Sequence, residues 1–195
     1  QGHSVTLSSV AFEPRSAADD IAFTRYEGSE FGLHFENNFG PRDFYPPFFN
    51  GSGLATGDID RDGWPDVVAA NGALVIIYMN QAGQRFVPIE MDVSGIEDLA
   101  IFNVALIDLD GDGWTDILIL GFPGENSWWF ENPGKGVTTH WKRHVALDVT
   151  DNESPRWVDI TGDGRLEIVC SSKGHYGYAS PNIKNPTAPF TWHPL

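Results

Sequence analysis

The sequence predicts an all-β fold made of repeated four-stranded units. Three observations predict it. An acidic, glycine-pivoted loop starts at residues 58, 108 and 159, a period near fifty. Short apolar runs flank every copy. The 21 Gly and 13 Pro favour many turns and little helix.

The elements follow in order. Ile21–Tyr26 and Phe31–Phe35 read as strands, and Pro41–Asn50 as an aromatic, proline-rich connection. Leu54–Gly57 leads into the first loop and Asp66–Ala70 leaves it. Leu74–Met79 and Phe86–Met91 follow, separated by the turn Asn80–Gly83. The second copy gives Val104–Ile107, Ile117–Leu120, Trp128–Phe130 and His140–Leu147, with a turn at Asn132–Gly134. The third gives Trp157–Val158, Leu166–Cys170, Tyr176–Ala179 and Phe190–His193.

A four-stranded unit cannot cover both of its own faces, so it stacks on its neighbours. The prediction is therefore a β-propeller with three clear blades at about 51–100, 101–151 and 152–195. Residues 1–50 would supply a degenerate blade or ring-closing strands. A second copy or a larger assembly would complete the ring.

The loops carry the chemistry. The first reads Asp58-Ile59-Asp60-Arg61-Asp62-Gly63-Trp64-Pro65-Asp66. Carboxylates at positions 1, 3 and 5, a carbonyl from Trp64 at 7 and a closing Asp66 at 9 supply the oxygen cage that Ca²⁺ accepts. The second repeats it with Asp108, Asp110, Asp112, the Trp114 carbonyl and Asp116. The third has Asp159, Thr161, Asp163, the Arg165 carbonyl and Glu167. There a hydroxyl replaces one carboxylate and a longer arm closes the cage, so a third site should be weaker. Zn²⁺ would want His or Cys, and neither occurs in a loop. Mg²⁺ demands a stiffer octahedron. No helical pattern flanks the loops and the closing acid stands at position 9, which sets them apart from an EF-hand.

These residues resemble the FG-GAP and VCBS repeat families, including the calcium-binding blades of integrin α-chain propellers. The matching segments are Ala55–Val68, Ala105–Leu118 and, less closely, Trp157–Val169, within a similarity over roughly residues 50–195. The Gly-Ala-Pro element of one family is absent, which favours the VCBS-like branch. The resemblance implies a propeller whose calcium sits in the first hairpin of a blade, in a secreted or surface protein.

A formal charge of −15 excludes nucleic acid as a partner, because no basic stripe is present. The three loops hold eleven carboxylates, so bound divalent ions would offset much of that acidity. Cys170, the single cysteine, rules out an internal disulfide and reads as a buried, inert thiol. No stretch is long enough for a membrane-spanning helix. No nucleophile elbow, zinc-protease motif or phosphate-cradling loop occurs.

Seven Trp invite a sugar-binding reading, but packing explains Trp64 and Trp114 better. Trp128 and Trp129, neighbours on a strand, should face opposite sides of the sheet. His140, Lys142 and His144 form the one compact basic cluster and read as a solvated strand face. Asn50–Ser52 and Asn152–Ser154 match the N-glycosylation sequon.

The expectation is a non-enzymatic, calcium-binding module in an extracellular, cell-surface or periplasmic setting. Its ligand would be a protein or polysaccharide. The alternatives are a calcium-dependent polysaccharide lyase or hydrolase, or a purely structural subunit of an extracellular assembly.

Overall fold

The computed structural model describes residues 4–5, 25–35, 37–38, 53–71, 74–96, 101, 103–121, 123–136, 140–151 and 155–195. Near the N-terminus, β1 (Ser4–Val5) pairs with β2 (Asn37–Asn38). Between them lies a 3-10 turn, Gly28–Phe31, ended by left-handed Gly32. Three antiparallel sheets follow. The first holds β3 (Gly53–Gly57), β4 (Asp66–Asn71), β5 (Leu74–Asn80) and β6 (Phe86–Glu90). The second holds β7 (Asn103–Ile107), β8 (Asp116–Leu120), β9 (Glu125–Glu131) and β10 (Lys142–Thr150). The third holds β11 (Arg156–Val158), β12 (Glu167–Ser172), β13 (His175–Ser180) and β14 (Thr191–Pro194). Each is a meander, with strands neighbouring in space in their sequence order.

Burial explains the strand sequences. β8 is buried at all five positions, and its Asp-Ile-Leu-Ile-Leu run lacks polar alternation because both of its faces are covered. One face, with Ile117, Ile119 and Phe130, joins Val68, Val75 and Ile77 of the first sheet. The other, with Leu118 and Trp129, joins Ile168, Cys170 and Ala179 of the third. Trp128 packs against the first of these clusters and Trp129 lies inside the second, so the alternation expected for this pair holds.

The expected propeller is not formed. The three sheets are separate, each open at both edge strands, and none is curled or closed. The buried clusters join first sheet to second and second to third, and neither joins third to first. Propellers typically need at least four such units to bring the ends together. Among the described residues the N-terminal segment adds only the β1–β2 pair, not a fourth four-stranded sheet. Most of the segment read as a degenerate blade or ring-closing strands lies outside the described residues.

Within that segment, Phe31–Phe35 is not a strand. Gly28 and Gly32 bracket the turn, and Gly32 (φ 85°) sends its amide back to the carbonyls of Gly28 and Ser29. Of the expected strand Ile21–Tyr26, positions 21–24 lie outside the described residues, as do the 41–50 connection and the full span of both sequons.

Candidate metal centre

Each acidic loop connects the first strand of a sheet to the second, and its backbone follows one plan. Positions 4 and 6 are left-handed in all three: Arg61 and Gly63, Gly111 and Gly113, Gly162 and Gly164. Glycine removes the steric cost of that conformation, whereas Arg61 adopts it at φ 61° with a side chain in place. The double reversal turns the loop amides inward onto the first carboxylate. Asp58 accepts from Asp62 N (3.1 Å) and Gly63 N (3.0 Å). Asp108 accepts from Gly111 N (2.8 Å) and Gly113 N (3.0 Å). Asp159 accepts from Gly162, Asp163 and Gly164.

The closing acids of the first two loops are buried. Asp66 Oδ2 accepts the Ile59 amide at 2.9 Å and Oδ1 the Asn80 amide at 2.8 Å. Asp116 repeats this with Leu109 and Asn132, both at 2.8 Å. Carboxylate oxygens of Asp58, Asp60 and Asp66 lie within 4.8 Å of one another, as do those of Asp108, Asp110 and Asp116. Burial pushes the Asp116 carboxyl up to about 7, against the opposing amide bonds and with repulsion from Asp110 and Asp112 adding to it. Burial is also the largest cause of the upward shifts of Asp60, Asp66 and Asp110, with repulsion from neighbouring loop acids adding to each. Mutual crowding of hard oxygen donors, with no nitrogen or sulfur among them, fits a cation of the calcium or magnesium type. Either cluster can chelate a divalent ion.

The remaining expected ligands are placed differently. Asp62, Asp112 and Asp163 accept the amides of Trp64, Trp114 and Arg165 at 2.7–2.9 Å, which fixes the position-7 residues. In the third loop Glu167 accepts from Ile160 N and Thr161 N, and the Thr161 hydroxyl reaches its other oxygen at 3.4 Å. No three-acid cluster forms there among the described residues. Position 3, an acid in both other clusters, is Thr161 here, and Glu167 accepts from its amide and hydroxyl.

Two site residues escaped the sequence reading. Asn80 ends β5 and Asn132 directly follows β9, and each locks its closing Asp through its own amide. Their side chains continue inward. Asn80 Nδ2 donates to Pro65 O, and Asn132 Nδ2 to Thr115 O, both at 2.9 Å. The signal was visible as Asn80–Gly83 and Asn132–Gly134 but read only as turns. By register the matching residue of the third sheet is Pro181, which has no N–H to offer.

The tryptophans pack as expected. The Trp64 ring lies against Gly83 and the Trp114 ring against Gly134, so closely that a Cβ on either glycine would press into the indole. Arg61 lies 4.6 Å above the Trp114 ring. Of the basic cluster, His140 and Lys142 are exposed as expected, whereas His144 is partly buried. Lys142 and His144 both meet Glu131, at 3.3 and 2.8 Å, and His144 lies against Trp129. Burial would raise the Glu131 carboxyl, but these two partners outweigh it and hold it low. Cys170 is a buried free thiol, pushed up to about 12 by burial and then by Asp151.

Three antiparallel sheets in series, each with the same acidic loop at its first turn, define a β-repeat protein. The model of the FG-GAP-like repeat matches residues 58–119 and 108–170, together more than half of the chain. The protein belongs to the FG-GAP-like repeat family. No curated protein matches it. Family membership agrees with a non-enzymatic, repeat-based binding module. No helix among the described residues is long and apolar enough to cross a membrane.

Proposed function

We propose that the protein is a calcium-binding module working outside the cytosol, secreted or held at a cell surface or in a periplasm. It engages a protein or polysaccharide partner. One observation carries the reading: two register-matched acid clusters, each closed by a fully buried aspartate that no described cationic side chain pairs. A buried carboxylate without a counter-charge is costly, and a bound cation offsets that cost. Calcium at extracellular concentration suits loops of this ligand count.

In this reading Asp58, Asp60, Asp62, Asp66 and the Trp64 carbonyl hold the first ion. Asp108, Asp110, Asp112, Asp116 and the Trp114 carbonyl hold the second. Asp159, Thr161, Asp163, Glu167 and the Arg165 carbonyl form a weaker third site. The chain divides into an N-terminal segment, 1–50, and repeat units at about 51–100, 101–151 and 152–195. The ions supply no chemistry; they pin each loop onto its sheet.

A cleft of about 530 Å³ between the second and third loops supports the choice of a binding role. Gly111 leaves it open where Arg61 fills the corresponding junction, and Arg165 and Leu166 line it. Calorimetric titration tests the calcium reading. Calcium should bind with two principal stoichiometric sites and raise the melting temperature, with magnesium far weaker. No heat and no thermal shift at millimolar calcium would overturn it.

A further inference from the structure

Asn132 connects the two acid clusters through a short, buried hydrogen-bonded path. In the first loop the Ile59 N–H donates to Asp66 Oδ2 at 2.9 Å. The carbonyl of that same residue accepts from Asn132 Nδ2 at 3.0 Å. Asn132 N–H in turn donates to Asp116 Oδ1 at 2.8 Å. Both side-chain amide hydrogens of Asn132 are used, the second going to Thr115 O, and its Oδ1 accepts from Gly134 N at 3.0 Å. Ile59, Asn132, Asp66 and Asp116 are all buried.

The segment so gripped matters for the first site. Asp60, a member of the first cluster, directly follows Ile59, and the next residue, Arg61, lies over the Trp114 ring of the second loop. Residues 59–61 therefore rest on the second loop by two separate contacts. The bridge has no described counterpart elsewhere. Asn80 donates to Pro65 within its own unit, and Pro181 can donate to neither Glu167 nor the second loop.

Resting on the proposal that these loops bind calcium, we infer that the first and second sites fill cooperatively, with Asn132 as the positioning residue that couples them. An ion in the second loop immobilises Asp116, and with it Asn132 and the Ile59 peptide. The first loop then loses less conformational freedom when its own ion binds. Linkage makes the effect reciprocal, so each ion tightens the other by the same factor. Repulsion between two dications acts in the opposite sense, so positive coupling identifies the bridge as the dominant effect.

The test is calorimetric titration of the full chain with calcium chloride, comparing wild type with Asp60→Asn, Asp110→Asn, Asn132→Ala and Asn80→Ala. Asp60→Asn should weaken the second site by about fivefold or more, and Asp110→Asn should weaken the first by the same factor. Asn132→Ala, which alters no charge, should leave two sites that fill independently. Asn80→Ala should weaken the first site while the coupling survives. If Asn132→Ala does not fold, the Asp60→Asn and Asp110→Asn pair still decides. Calcium binding at both sites with affinities unmoved across that pair, or coupling that persists in Asn132→Ala, would overturn the inference alone. No calcium binding in wild type would remove the proposed function and the inference together.

Discussion

Asp116→Asn separates the cost of a buried charge from the benefit of a bound ion. The wild-type carboxyl moves from an ordinary value of 3.8 up to about 7 on folding, chiefly through burial. At pH 8 in chelator this corresponds to a destabilisation on the order of 4 kcal/mol. Asparagine removes the charge but sets an NH₂ against either Leu109 N–H or Asn132 N–H, because Asp116 accepts one amide on each oxygen. Leaving one such donor unmet costs about 1–3 kcal/mol. The net effect in chelator is a gain of about 1–3 kcal/mol, or about 2–12 °C in melting temperature for a chain of this size. In calcium at a hundredfold excess over the dissociation constant, each wild-type site contributes about 2.7 kcal/mol, and the variant forfeits the contribution of the second. Differential scanning calorimetry in both buffers reads the crossover directly. A variant that loses as much in chelator as in calcium, or that keeps the full calcium increment, would refute this account.

The same carboxyl sets a pH dependence. Its folded value exceeds its unfolded one, so its stabilising contribution is complete below 3.8 and disappears as pH rises through about 7. Thermal stability in chelator should therefore rise on acidification from pH 8 to 5. Calcium affinity at the second loop should fall about tenfold per unit below pH 7, because proton and ion compete; a flat titration between pH 5 and 8 would contradict this. Glu131→Gln should lower the melting temperature, since the carboxylate that meets Lys142 and His144 is lost; an unchanged melting temperature would count against the pairing. Cys170 should react with a thiol reagent at pH 8 only on unfolding, because burial keeps it protonated, and fast labelling of the native chain would show otherwise.

What could be read from the sequence, and what could not, follows from the range of the interactions involved. The acidic loops were legible because their acids lie within nine residues and their geometry is set by local left-handed residues, all glycine but Arg61. The strands were legible because turn residues punctuate them and because β8 reads as continuously apolar only where both faces are covered. Asn80 and Asn132 were not legible as site residues. Their partners stand 14 and 16 positions back, and Asn132 also reaches across 73 positions to Ile59. An asparagine before a glycine looks like turn chemistry whether or not its amide also closes a cage.

Ring closure was the least legible feature, since it depends on which sheet faces find partners. The first and second sheets present Ile77 and Trp129 to the sheet that follows each, inside apolar clusters. At the equivalent register the third sheet presents Tyr178, stacked on His193, which bonds to Ser180 at 2.9 Å. Arg156 lies in the same cross-strand row, Val158 is 44 % exposed and Tyr176 79 % exposed. Among the described residues no sheet covers that face. The side chains on each outward face decide whether burying it is favourable, and they lie too far apart in the chain for a local strand pattern to reveal the outcome.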